Sequence, residues 1–127
     1  MRFDSRRSIY EQIVEYVQNQ ILSSQWSAED RIPSVRDLAV TLGVNPNTVQ
    51  RSFSVLQDTG VIYNRRGVGY FVAPDGAQRS QAARRREFER QELPRIFETM
   101  NIINYSLDEL TGAWQRWNAE RNGGRQP

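Results

Sequence analysis

The stretch from Pro33 to Gly60, PSVRDLAVTLGVNPNTVQRSFSVLQDTG, constrains the fold most tightly, because it carries start and stop signals for two helices with almost nothing between them. Ser34 followed three residues later by Asp37 is a capping signal, opening a short helix with Val35, Leu38, Ala39 and Leu42 turned inward. Pro33 stops any continuation from upstream. Gly43 suits the left-handed residue that closes a helix. Asn45 is a good N-cap, and Pro46 falls at the first helical position, where its missing N–H costs nothing and its fixed φ is already helical. At about 100° per residue, Val49, Phe53 and Leu56 lie on one side of this helix. Asn47, Arg51 and Ser54 lie opposite, with Thr48 and Gln50 on the flanks. Gly60 ends it. A Gly-containing turn of about three residues between two such helices is helix-turn-helix spacing.

Upstream, SIYEQIVEYVQNQIL repeats apolar residues at Ile9, Ile13, Val17 and Ile21, with Tyr10, Val14, Tyr16 and Leu22 widening the stripe. Ser8 and Glu11 have the spacing of a capping box, so a helix is expected from about Ile9 to about Ser24. The turn QWSAEDRIP supplies Trp26 and Ile32 to the core. Downstream, VIYNRRGVGYFV reads as two short strands, Val61 to Asn64 and Gly69 to Ala73, joined by a basic tip with two glycines. Three helices followed by a hairpin make a winged helix-turn-helix with the polar third helix facing outward. The fold class is therefore mainly α with a small β-hairpin, an N-terminal winged helix-turn-helix followed by a short helical region.

After Asp75 the composition changes. A polar connection enters helix through QAARRR, and the residues that follow carry Phe88, Leu93, Ile96, Phe97, Met100 and Ile103. Pro94 is expected to kink this helix or split it. Ser106 and Glu109 are a third capping pair, opening a last helix with Leu107, Leu110, Trp114 and Trp117 on a near-heptad seam. The tail RNGGRQP reads as a frayed end. The expected division is 1–76 for the winged helix-turn-helix and 77–127 for the helical region.

Cysteine and histidine are both absent, which removes disulfides, thiol chemistry and the usual ligands of structural zinc. Neither a nucleophile with its base nor a metal cluster can be assembled, so no enzyme, no metal and no cofactor is expected. No secretory segment and no apolar run long enough for a membrane span is visible, which points to a cytoplasmic protein without a membrane partner. All 17 basic residues are arginine, a usage that a GC-rich genome also produces. Residues 1–76 hold eight arginines against eight acids, so a nucleic-acid surface has to come from local placement.

Local placement favours one. Asparagine and glutamine can bond an adenine edge, arginine a guanine edge, and a threonine methyl can touch that of thymine. Asn47, Thr48, Gln50 and Arg51 offer this set from the first turns of the third helix, the part that enters a major groove. An exposed helix face is polar as a rule, and it is the helix-turn-helix setting that weights this one toward DNA. Arg36, at the start of the second helix, suits a phosphate, or equally a surface pair with Asp37 or Glu29. Arg65 and Arg66 stand at the hairpin tip, where Gly67 and Gly69 let the backbone come close to another strand or simply make the bend. The run Arg84, Arg85, Arg86 is read as a solvated face, because Glu87, Glu89 and Glu92 follow at ion-pair spacing.

The region after residue 76 has too few helices to bury its own apolar stripe. Its simplest cover is its copy in a second chain, giving a homodimer in which Phe88, Ile96, Phe97, Met100, Ile103, Leu107, Leu110, Trp114 and Trp117 form the interface. Two recognition helices would then read a palindromic site on double-stranded DNA. Tryptophans at this spacing are read as packing residues in preference to a ligand pocket.

The blocks PSVRDLA, GVNPNTV, TGVI and RRGVGYFV, in this order, resemble the winged helix-turn-helix of the GntR family of bacterial transcription regulators over about residues 8 to 73. The short helical tail resembles the YtrA subfamily, whose small two-helix region serves dimerisation. The resemblance implies that Arg36 contacts DNA, that Asn47, Thr48 and Gln50 are contacting positions of the recognition helix beside Asn45 and Pro46, and that Gly67 is the wing-tip glycine. It also implies a repressor. Many relatives carry arginine where Pro46 and Gln50 stand, so their operator code does not transfer. The sequence names no small-molecule effector. The competing reading, an adaptor that uses the winged helix to bind protein and not DNA, calls for an apolar third-helix face or an acidic wing, and neither is present.

Overall fold

A computed structural model describes residues 1–123; of the tail expected to fray, the last four residues lie outside the described residues. Helix α1 spans Ile9–Leu22, α2 Val35–Leu42 and α3 Pro46–Asp58. Strands β1 (Ile62–Arg65) and β2 (Gly69–Val72) follow, then α4 (Gly76–Glu87), a π-helical turn at Phe88–Glu92, α5 (Leu93–Ile103) and α6 (Leu107–Asn122). The chain folds as two compact units, one from Met1 to Arg85 and a second from Arg86 onward.

The first unit is built on the stripe that α1 presents every three to four residues. Ile13 and Val17 are fully buried and Ile21 is 4% exposed, packed with Leu38 of α2 and with Val49, Phe53 and Leu56 of α3. Each such side chain contributes about 1.5–3 kcal/mol by leaving water. Val61, Ile62 and Val72 close the core from the hairpin, with Trp26, Val35 and Leu42 at its edge. Ile9, the first residue of the expected stripe, stands 44% exposed instead, one turn before the helix meets the core.

The helix ends follow from their caps. Ser34 Oγ accepts from the Asp37 amide at 3.0 Å and Asn45 Oδ1 from the Asn47 amide at 2.8 Å, while Gly43 takes the left-handed φ of 68° that closes α2. The pair expected at Ser8 and Glu11 is not a capping box. Ser8 Oγ donates directly to Glu11 Oε1 at 2.6 Å, and Ser8 caps no backbone amide. Helix α1 also stops at Leu22, short of Ser24, because Ser24 has left-handed φ of 64°.

The hairpin pairs antiparallel in the register Ile62 with Val72 and Arg65 with Gly69, so the first strand sits one residue later than expected. A segment read as turn joins it. Ile32 N–H donates to the Tyr70 carbonyl and Val72 N–H to the Asp30 carbonyl, both at 2.9 Å, and Arg31 bridges to Phe71. Residues 29–32 thus supply the free edge of β2 with partners.

Arg84 is not part of a solvated face. Its guanidinium donates to Asn19 Oδ1 at 2.6 Å and lies 3.5 Å from Glu15 Oε1, so α4 is tied to α1. Gly76 lets α4 begin against the core: a Cβ there would lie 2.8 Å from Val72 Cγ1 and 2.9 Å from the Val61 carbonyl oxygen.

In the second unit, α5 begins at Leu93 with Pro94 in its first turn, directly after the π-helical turn. A proline removes one amide donor and crowds the carbonyl four residues back, and the wider turn relieves both. The junction is therefore a change of helical pitch. Asn104 ends α5 in the left-handed region at φ 59°, and Ser106 and Glu109 form the full capping box of α6, with bonds of 3.1 and 2.8 Å. The seam is left open in the single chain: Leu107, Trp114 and Trp117 are 70%, 60% and 54% exposed.

Candidate nucleic-acid interface

Helix α3 divides as its sequence period requires. Val49, Ser52, Phe53 and Leu56 have no exposed surface, and on the outer side Asn47, Gln50, Arg51 and Ser54 are exposed, with Thr48 half-buried. Asn45 spends its side-chain oxygen on the cap, so its part in the face is to aim the first turn together with Pro46.

The outward side chains lean to different flanks. Gln50 Nε2 lies 3.5 Å from the Tyr70 hydroxyl, on the hairpin side. Tyr70 in turn packs edge-on against Phe53, with ring centroids 4.8 Å apart, so β2 is fixed to α3 through a buried ring. Arg51 leans the other way and places its ζ carbon 3.7 Å above the Tyr10 ring of α1. Asn47 lies on the exposed side of the first turn of α3. Between α1 and α3 opens a cleft of about 370 Å³ lined by Ser8, Ile9, Tyr10, Asn47, Thr48 and Arg51.

Arg36 stands exposed in the first turn of α2, and among the described residues it forms no ion pair. Of the two carboxylates considered for it, Asp37 gives its backbone amide to the Ser34 cap, and Glu29 accepts from the Tyr63 hydroxyl instead. That bond, more than burial, raises the Tyr63 phenol above its ordinary value.

At the wing tip Arg65 and Arg66 are exposed and the Val68 amide donates to the Arg65 carbonyl at 2.9 Å. Gly67 has φ of 77° and Gly69 of 143°, values that L side chains rarely adopt. Arg65 lies 5.1 Å over the Phe71 ring, which holds its stem along the sheet. Sequence reasoning missed Arg31. Its Nε lies 3.0 Å from where a Cβ on Gly69 would sit, so Gly69 leaves the space that this guanidinium fills. The wing therefore carries three arginines, and the signal that could have found the third was the arginine two residues before Pro33.

These placements bring Arg36, Asn47, Thr48, Gln50, Arg51 and the wing arginines into one unit, the one that ends at Arg85. Phe88, Ile96, Phe97, Met100, Ile103, Leu107, Leu110, Trp114 and Trp117 belong to the other. Within that second unit Ile96, Met100 and Leu110 are half-buried and line, with Arg95 and Tyr105, an apolar hollow of about 380 Å³. Among the described residues no group of His, Cys, Asp and Glu could hold a metal, and no helix is long and apolar enough to cross a membrane.

Residues 9–72 match the model of a family described as bacterial regulatory proteins, gntR family. Over nearly the whole chain, the HTH-type transcriptional repressor YtrA of Bacillus subtilis is 27% identical, covering 99% of this chain and 98% of that protein. A GntR family transcriptional regulator from Listeria monocytogenes superposes with a TM-score of 0.73 at 30% identity, over 90% of this chain and 98% of that one. The DNA-binding domain of AraR, solved in complex with an operator, superposes at a TM-score of 0.50 and 25% identity, over 57% of this chain and 90% of that one. Other curated relatives match over 72 and 73 residues, and the chain spans 60% of one and 16% of the other.

Proposed function

The chain belongs to the gntR family of bacterial regulatory proteins, and on that premise we propose that it is a homodimeric, sequence-specific repressor of transcription that reads a palindromic operator in double-stranded DNA. Residues 1–76 supply the DNA-binding domain and 77–127 the dimerisation region. The observation that carries the reading is the outer side of α3, where Asn47, Gln50 and Arg51 stay exposed opposite a face with no exposed surface. The hydrophobic core of the first unit makes no use of these side chains, and their amide and guanidinium groups match base edges and phosphates. The operator-bound AraR domain and the repressor named YtrA support the same use of the fold.

Dimerisation is supported by the seam on α6. Leu107, Trp114 and Trp117 are apolar side chains with more than half their surface in water, which a second copy of the same seam would cover. Two α3 helices related by a two-fold axis then face two half-sites.

Fluorescence titration of labelled operator tests this reading. Asn47→Ala and Arg36→Ala each lower specific affinity, by about 1–3 kcal/mol per lost base contact. Unchanged affinity in both variants removes α3 from the groove.

A further inference from the structure

The cleft between α1 and α3 gives Arg51 a different task from that of its neighbours. In the free protein its guanidinium lies on the Tyr10 ring, at 3.7 Å from ζ carbon to centroid, with no carboxylate paired to it among the described residues. A stacked guanidinium keeps all its N–H groups in its own plane, free at the edge and already oriented. The backbone at Tyr10 is held in place, because the buried Ser52 hydroxyl donates to its main-chain carbonyl at 2.9 Å. Thr48, a hydroxyl residue, lines the same cleft, whereas the Ser8 hydroxyl beside it is given to Glu11 Oε1.

Direction decides what this fork meets. A major groove is about 12 Å wide, close to the diameter of a helix with its side chains, so a helix in the groove reaches base edges along its midline and phosphates from its flanks. Gln50 leans to the hairpin flank and Arg51 to the α1 flank. We propose that Arg51, held on Tyr10, clamps a phosphate of the DNA backbone in this cleft, with Tyr10 as its positioning residue, and that base reading falls to the side chains nearer the midline. The inference rests on the DNA-binding reading above and adds which group grips the backbone on the α1 side.

A phosphate clamp and a base reader have different signatures. The test measures affinity of the full-length protein for its operator, for operators with single base-pair changes, and for a random duplex, each at several salt concentrations. For Arg51→Gln, operator and random duplex weaken by the same factor, and the slope of log K against log salt falls by about 0.9, one released counterion contact. Tyr10→Phe keeps the ring and behaves as the parent protein. Tyr10→Leu weakens all duplexes alike, by about two- to five-fold, with melting curves confirming that it is folded. Loss of discrimination at a single base pair in Arg51→Gln, with the salt slope unchanged, overturns the clamp and makes Arg51 a base reader. Equal losses in Tyr10→Phe and Tyr10→Leu overturn the role of the ring. A parent protein that binds every duplex weakly and without salt dependence overturns the DNA-binding reading and this inference with it.

Discussion

The Ser52 hydroxyl donates to the main-chain carbonyl of Tyr10 at 2.9 Å, across 42 positions of sequence, and so locks the inner side of α3 to the first turn of α1. It also lies 3.0 Å from the Thr48 carbonyl one turn back along its own helix. A serine with no exposed surface is tolerated there because its one polar side-chain atom is satisfied.

Ser52→Ala therefore lowers stability by about 1 kcal/mol, the net value of a typical buried hydrogen bond. Urea unfolding of the first unit's signal reads this directly. An unchanged midpoint would mean that the bond contributes nothing beyond what water supplies.

That bond illustrates which parts of the architecture the residues announce locally. Ser34 with Asp37, Asn45 with Pro46, Gly43 and the Ser106–Glu109 box lie within a turn of what they cap, so α2, α3 and the start of α6 can be placed from sequence. So can the outer face of α3, since periodicity assigns Val49, Phe53 and Leu56 inward. Long-range partners cannot. Periodicity says nothing of Arg84 reaching Asn19 and Glu15, of Gln12 exchanging two 2.7 Å bonds with the main chain of Asp4, or of Arg31 resting on Gly69. Spacing assigns Arg84 to the glutamates that follow it because neighbours along one helix are visible in a sequence and a second helix packed beside it is not.

Arg31 adds a third cation to the wing and stands free of carboxylate partners among the described residues. Arg31→Gln lowers the salt slope of DNA binding by about 0.9 while leaving the preference among operators unchanged. Salt titration of Arg31→Gln beside the parent protein checks it; an unchanged slope would show that Arg31 does not reach the DNA backbone.

The exposed pair of Asp75 and Arg79, with Nε 2.8 Å from Oδ2, holds the Asp75 carboxyl below its ordinary value through that hydrogen bond first of all. A carboxyl depressed on folding contributes stability above its unfolded pKa and loses it as pH falls through the folded value. The melting difference between the parent and Asp75→Asn is therefore small, constant near neutrality, and shrinks below about pH 4. A difference that grows on acidification contradicts the assignment.

On α6, Trp114 and Trp117 expose 60% and 54% of their surface, and Arg121 lies 5.3 Å over the Trp117 ring. Trp114→Glu places a charge in the seam that a second copy would cover, so sedimentation finds monomers while the melting of the first unit is retained. Operator affinity falls steeply, because one α3 helix then binds one half-site. Monomer and dimer populations unchanged by this substitution would place the dimer contact elsewhere.

Selection of bound duplexes from a random pool decides between these outcomes in one step, since target, symmetry and mode of reading are scored together. The expected product is a two-fold symmetric consensus whose half-sites are spaced to match two α3 helices, about one helical turn or a multiple of it from centre to centre. Within each half-site, Asn47→Ala blurs the enrichment. A pool that yields no consensus, or an asymmetric one indifferent to Asn47, would mean that a pair of α3 helices does not read this DNA.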